Sequence, residues 1–346
     1  MKFAIIGIDH GHVFMMINNL LAIQGVSCAG YFTEHYDLEK QMTRAFPHIG
    51  LARNEADLLE NPEVDLIVSA SVPSLRGPLA IRALNHDKHF LADVPFPTTL
   101  DHLRLLELTQ ARSGKCVFAY LRERLLCRAE LLAGKLIRAG EIGRPVNFVG
   151  LEPHKLMIKH RPAWQFRRDA SGGVLAELGV HALDSFCFLT DQSISRGTAR
   201  SGNLAHPKQP DFDDFGDFTF EGSEGATGYA RVDWLTPDAL PSFGDIRSIV
   251  LGTDGYLEIR KKLDLAVDNT RYTGDTLLIC SRNREPERID CRHVPATFHE
   301  ELVRDVRDGV NRCLPEGYFF GLMRAVLQMR DSADRLGWAA AAAQTA

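Results

Sequence analysis

The sequence predicts an α/β chain in two parts. Residues 1–122 read as a doubly wound parallel sheet, and residues 123–346 as an α+β domain with a large open, mainly antiparallel sheet. Three observations lead there. Up to residue 120, short β-rich apolar runs alternate with amphipathic helical stretches, the pattern of βαβ units. The first run ends in a glycine turn, Gly7-Ile8-Asp9-His10-Gly11-His12, ahead of its helix. Beyond residue 120 the apolar residues alternate with polar ones, and tight Gly-containing turns join the runs, as in antiparallel strands with one buried face.

Taken in order, the apolar run at 3–6 predicts a strand and the 3.6-residue period at about 13–23 a helix. A strand follows at about 26–32 and a helix near 38–46. The run at 64–70 is continuously apolar, as for a strand covered on both faces. A helix near 79–85, a strand at 89–92, a helix at 100–112 and a strand at 117–120 complete the alternation. In the second part, a helix at about 129–139 stops at Gly140-Glu141-Ile142-Gly143, with Pro145 beyond it. Phe218 and Phe220, then Ala230, Val232 and Trp234 across Gly225, predict a hairpin. A second hairpin turns at Thr253-Asp254-Gly255, between 249–251 and 256–259. Two helices, about 298–310 and 318–336, are expected near the end, and Ala339 to Ala346 reads as a fraying helix tail.

Composition narrows the function. The chain has 346 residues, enough for two cores, with 45% hydrophobic and 25% charged residues. A net charge of −5 without a Lys/Arg cluster argues against a nucleic-acid partner. The seven cysteines are scattered with no C-x-x-C pair, which suits free thiols in a reducing compartment. No signal peptide is evident and no apolar run approaches a bilayer span, so no membrane is expected and a cytoplasmic location is.

The turn after the first strand carries the nucleotide signal. In a dinucleotide site such a turn holds three glycines: one for the bend, one to admit the diphosphate to backbone N–H groups, one for helix–strand packing. Gly7 fits the first place, while Asp9 and His12 occupy the other two. Asp9 repels a diphosphate unless it turns away; a protonated His10 or His12 offsets part of that charge. The alternatives are a turn that binds nothing and a metal reading of His10-x-His12; no metal ligand is assigned. After the second strand, Thr33 and Glu34 are the candidates for the ribose hydroxyls, a weak lean to NAD, or else begin a polar loop.

Several segments in the right order resemble the glucose–fructose oxidoreductase/inositol dehydrogenase (Gfo/Idh/MocA) family. These are Pro62-Glu63-Val64-Asp65-Leu66-Ile67-Val68, Ala83-Leu84, Lys88-His89-Phe90-Leu91-Ala92-Asp93-Val94-Pro95, the Gly140–Pro145 segment, Arg161-Pro162-Ala163-Trp164, and Gly252-Thr253-Asp254-Gly255-Tyr256-Leu257-Glu258. Most specific is Gly172-Gly173-Val174-Leu175-Ala176-Glu177-Leu178-Gly179-Val180-His181-Ala182-Leu183-Asp184. The resemblance implies a Rossmann domain, NAD or NADP as cofactor, and oxidation or reduction of a carbinol on a sugar, cyclitol or related polyol. It also implies a homodimer or homotetramer formed through the open sheet. Gly7, Asp9, His10, Gly11, His12, Thr33, Glu34, Ala70, Ser71, Asp93 and Pro95 form the expected cofactor set.

The family's Glu-Lys-Pro appears here as Asp93-Val94-Pro95, and valine moves no proton. His154, Lys155 and Lys159 are candidates to replace that lysine. Glu177-x-x-x-His181 stands for the family's Asp-x-x-x-His; on one helix, i,i+4 spacing puts a carboxylate beside an imidazole. His181 is the expected base, with Glu177 orienting it or binding a substrate hydroxyl, and Asp184 assisting. His154, Lys155, Arg161 and Trp164 are the expected substrate residues, and Arg122 and Arg124 are either site or surface residues. The alternatives are a lyase, hydratase or hydrolase that keeps NAD or a metal, and a non-catalytic ligand-binding protein.

Overall fold

The structure is a computed structural model, and it describes residues 1–263, 274–315 and 317–337. The chain divides into two compact units. The first is Met1–Tyr120 together with Thr297–Phe320, and the second is Leu121–Ala296 together with Gly321–Ala346. The first cut falls near the expected boundary at 122. The return of Thr297–Phe320 to the first unit is a correction to the single-cut reading.

The first unit runs β1 (Lys2–Ile6), α1 (His12–Leu21), β2 (Ser27–Phe32), α2 (Tyr36–Ala45), α3 (Ala56–Leu59), β3 (Leu66–Ser69), α4 (Pro73–Asn85), β4 (His89–Asp93), α5 (Leu100–Ser113) and β5 (Val117–Tyr120). Its five strands pair in parallel in the order β2-β1-β3-β4-β5. β3, β4 and β5 are buried at every residue, which is why their sequences are apolar runs without alternation. Helix α4 begins six residues earlier than the apolar period suggests, because Pro73 is a favourable first-turn residue that supplies no periodicity. Thr99 caps α5 by accepting the N–H of His102 at 3.2 Å, and Gly114 ends it with φ +67°.

The second unit continues with α6 (Arg122–Leu125), α7 (Arg128–Arg138), β6 (Pro145–Pro153), α8 (Arg168–Ser171), α9 (Val174–Glu177), α10 (Gly179–Thr190), β7 (Ile194–Asn203), β8 (Phe215–Gly222), β9 (Thr227–Asp233), β10 (Arg247–Gly252), β11 (Gly255–Arg260), β12 (Thr276–Ser281) and β13 (Arg284–Asp290). Helix α11 (Phe298–Asp308) follows in the first unit. The chain then runs through α12 (Tyr318–Asp331) to β14 (Asp334–Gly337). The nine-stranded sheet has the order β13-β12-β11-β10-β6-β9-β8-β7-β14. It is mostly antiparallel, with parallel pairs at β6–β9 and β14–β7. Both expected hairpins are present, as β8–β9 and β10–β11.

Two expectations are overturned. The last helix stops at Asp331, and 334–337 forms an edge strand against β7. Pairing with β7 satisfies the backbone groups on one side of those four residues, which outweighs helical spacing. One stretch, Arg168–Thr190, is long and apolar enough to cross a membrane by length and composition, against the expectation of none. It is a core segment: 89% of its apolar window is buried, and Gly172, Gly173 and Leu178 interrupt it. The alanine-rich tail lies outside the described residues.

Candidate functional site

In the first unit the chain reverses its direction of winding between β1 and β3, and the loops at their carboxyl ends flank that switch point. Open parallel sheets bind ligands there. Gly7 has φ +80°, and a Cβ on it would lie 2.3 Å from Ser71 Cβ, so only glycine fits. The turn is stitched to the end of β3: Ala70 N–H donates to Gly7 O at 3.0 Å and His10 N–H to Ala70 O at 2.9 Å. Gly11 precedes α1, and a Cβ there would meet nothing within 4 Å.

Asp9 finds partners within the neighbouring loops. Burial raises its pKa, and His35, Arg76 and the backbone N–H groups of Asp9 and Val72 counter that rise. His35 Nε2 lies 3.6 Å from its carboxylate. The charge that stands where a second glycine belongs is thus spent on its own loop and on the entry to α4. Thr33 Oγ accepts the N–H of His35 at 3.2 Å, so it serves the turn, while Glu34 is exposed just past β2.

His10 and His12 converge on the buried Asp93 at the end of β4. His10 Nδ1 lies 2.8 Å from one carboxylate oxygen and His12 Nδ1 3.0 Å from the other. The two imidazoles meet edge to face, with ring centroids 4.3 Å apart. Arg76, 1% exposed, donates to Asp93 O at 3.0 Å and to Ser71 O at 2.6 Å, which fixes the strand ends around them. Burial pushes the His10 imidazole down to about 4, with His12 adding to the fall and Asp93 opposing it. Burial pushes the Asp93 carboxyl up, but His12 and His10 together outweigh it and hold the group well below the usual carboxylate range. Val94, next in sequence, is buried and apolar.

In the second unit the expected catalytic helix is broken. Glu177 ends α9, Leu178 intervenes, and His181 lies in the first turn of α10. The i,i+4 face therefore spans a joint, and the Glu177 carboxylate accepts a 2.6 Å hydrogen bond from Gln165 Nε2. His181 is buried. Asp184, fully buried, pairs with Arg124 Nε at 2.7 Å, so it anchors α10 to α6, and Arg124 is a core residue, not a surface one.

The expected substrate residues part company. His154 is buried between Trp234 and Phe243, at ring centroids of 5.6 and 5.1 Å, and burial pushes it down to about 4. Lys155 donates to the carbonyls of Asp238 and Leu240, so it is not a free replacement for the lysine. Lys159 is exposed. Arg161 donates to Leu156 O at 2.7 Å and stacks over Trp234 at 4.7 Å. Trp164 is half-buried, and the ring under the Arg161 guanidinium is that of Trp234. A depression of about 310 Å³ lies beside Trp234, lined also by Leu156, Ile158, His206 and Asp238. His181 and Glu177 are not in its lining.

Sequence reasoning missed a buried charge network in this unit. Lys261 Nζ lies 2.7 Å from Glu130, 3.3 Å from Glu152 and 3.1 Å from Ser185 Oγ. Glu123 pairs with Arg122 at 2.6 Å and Lys262 at 3.0 Å. Burial raises the Glu123 carboxyl, yet Lys262, Arg122, His154 and His181 together hold it well below the usual range. The available signal was Glu130 on the apolar stripe of α7, with Ala133 and Ile137, and Glu152 in register with the buried Phe148 and Gly150 of β6.

A doubly wound sheet with a glycine turn at its switch point, followed by a nine-stranded mixed sheet, defines a two-unit, oxidoreductase-type α/β architecture. A family profile described as the GFO/IDH/MocA C-terminal domain matches residues 131–258. A candidate oxidoreductase from Erwinia carotovora atroseptica SCRI1043 is 31% identical, with a TM-score of 0.92 over 97% of this chain and 100% of that one. The chain belongs to the Gfo/Idh/MocA family. Among named relatives, scyllo-inositol 2-dehydrogenase (NAD(+)) of Bacillus subtilis is 26% identical over 59% of this chain and 57% of its own length. The 1,5-anhydro-D-fructose reductase of Ensifer adhaerens is 26% identical over 44% of this chain and 46% of its own. The chain thus spans about half the length of the curated relatives it matches.

Proposed function

We propose that the chain is a nicotinamide-dependent oxidoreductase acting on a carbinol of a sugar, cyclitol or related polyhydroxylated small molecule, with NAD favoured over NADP. The carrying observation is the turn after β1. Gly7 is locked on Ser71 at the switch point, and the Asp9 carboxylate is engaged by Val72 N–H and His35. The residues present fit a dinucleotide. The turn from Gly7 to Gly11 and the start of α1 would take the diphosphate, and Glu34 the ribose hydroxyls. Ala70, Ser71 and Pro95 belong to the same strand-end loops.

The bound cofactor supplies hydride acceptance and return. The protein's part is proton handling. His181 is the base that takes the carbinol proton, and Glu177, held by Gln165, is a substrate-hydroxyl or orienting group. The relatives support the substrate class, since those quoted act on an inositol and an anhydrosugar. Further parts of the reading are a homodimer or homotetramer and a cytoplasmic location. The first is supported by Ile249, Leu251 and Tyr256, exposed on β10 and β11, and the second by seven free cysteines.

Val94 favours a second reading: an apolar residue where the family carries lysine suits a non-redox reaction or a ligand-binding protein. Titration with NADH and NADPH, followed by fluorescence and melting temperature, separates the two. Stabilisation by one cofactor and turnover on a panel of sugars and cyclitols is expected. No shift with either cofactor removes the redox reading, and a shift without turnover on any member transfers support to the second.

A further inference from the structure

We propose that His10, His12 and Asp93 form a binding site for one divalent transition ion of the zinc class. The three side chains come from two separate strand ends yet bring one ligand atom each to within 4.8 Å of one another. Two imidazole nitrogens and a carboxylate oxygen are a donor set for Zn²⁺ and its neighbours, whereas Mg²⁺ and Ca²⁺ prefer all-oxygen sets. The ring nitrogens lie at 2.8 and 3.0 Å from the carboxylate, so a small adjustment opens them to the spacing of atoms sharing one ion at about 2.0–2.2 Å.

The surroundings are built to hold the ligands. The two rings meet edge to face at 4.3 Å, and the His10 N–H is tied to Ala70 O. Arg76 orients Asp93 through its backbone carbonyl, and its Nη2 stands 3.8 Å from the carboxylate, at the margin of an ion pair. Support of this kind around a ligand tunes metal affinity. Asp93 is buried, with 3% of its side chain exposed, while His10 and His12 keep 26% and 29%. One side of the cluster is therefore open, as in sites where a fourth position exchanges water for substrate. The site brings together two departures from the family pattern: the histidine of the turn and the residue preceding Val94. An ion there would add positive charge next to the position that lost its lysine.

The test uses the full chain without a histidine tag, stripped with chelator and titrated with Zn²⁺ against a chromogenic competitor, then with Co²⁺ by visible absorption. One equivalent per chain is expected, with a four-coordinate Co²⁺ spectrum. His12→Ala and His10→Ala are expected to weaken Zn²⁺ binding by at least about tenfold. Circular dichroism and melting of the metal-free variants confirm that they fold, and His12, being partly exposed, guards against loss of the fold. Failure of the native chain to retain Zn²⁺ at micromolar free ion overturns the proposal. So does unchanged affinity in the His10→Ala/His12→Ala double variant, which would place the ion elsewhere. Cofactor titration of the metal-free chain reports separately on the nucleotide reading, so either can fail alone.

Discussion

Lys261→Met is expected to destabilise the second unit more than any surface substitution. The Lys261 side chain is fully buried, with Glu130 at 2.7 Å and Glu152 at 3.3 Å, both also buried. Burial disfavours its charge, but Glu130 and Glu152 more than compensate and raise its pKa. Methionine fills most of the volume, so little of the loss is cavity. What remains is two buried carboxyl groups that have lost their shared cation. Breaking a buried pair on one side costs about 3–5 kcal/mol. For a domain of this size that is a fall in Tm of roughly 6–20 °C, at about 2–4 °C per kcal/mol. Urea unfolding followed by circular dichroism, with calorimetry in parallel, measures it. Adding Glu130→Gln and Glu152→Gln to Lys261→Met should recover most of the loss, because the stranded charges go. A single variant losing less than about 1 kcal/mol, or a triple variant no more stable than the single, would refute the reasoning.

Gly7→Ala adds a Cβ 2.3 Å from Ser71 Cβ at a φ of +80°, and should cost about 2–5 kcal/mol in urea unfolding. Ser71→Gly should restore the steric share only; full rescue would show that backbone conformation contributes nothing. Burial holds His89, His154 and His299 at about 4 against an ordinary 6.5. The unfolded chain then binds protons that the folded chain refuses, so stability is whole above pH 6.5 and falls between 6.5 and 4. The slope is about 1.4 kcal/mol per pH unit for each such histidine. Melting curves across that range should steepen accordingly, and His89→Gln should flatten them; an unchanged profile counts against neutral burial. With a substrate in hand, His181→Asn should lower kcat by about 10²–10⁴ while cofactor binding stays intact. Full turnover in that variant removes His181 as the base.

The doubly wound sheet was legible because β3, β4 and β5 are buried at every residue and its helices mainly on one face, so each period is written plainly in the apolar residues. The hairpins were legible for the same reason, through Phe218, Phe220, Ala230 and Val232. The strand at 334–337 was not: its pairing with β7 depends on a partner more than a hundred residues away, which no local period encodes. Glu177 and His181 keep their i,i+4 spacing across the junction of α9 and α10 at Leu178, which the sequence does not mark. Asp184 and Arg124 bear charges that look functional in one dimension and prove to be each other's partner at 2.7 Å. His10, His12 and Asp93 were all singled out as cofactor residues. Their convergence required knowing that the ends of β1 and β4 open on one side.

The return of Thr297–Phe320 to the first unit bears on how the protein is made. Synthesis delivers β1 to β5 first, yet α11 places Phe298 and His299 against Tyr120, with ring centroids at 6.1 and 5.8 Å. Asn311 also donates to Val117 O at 3.0 Å. The growing chain therefore carries an unfinished first unit while all of β6 to β13 emerges from the ribosome. Tyr120 and the end of β5 wait for a segment made nearly two hundred residues later. A nascent chain halted before Thr297 should offer that apolar surface to chaperones, and one halted beyond Phe320 should not.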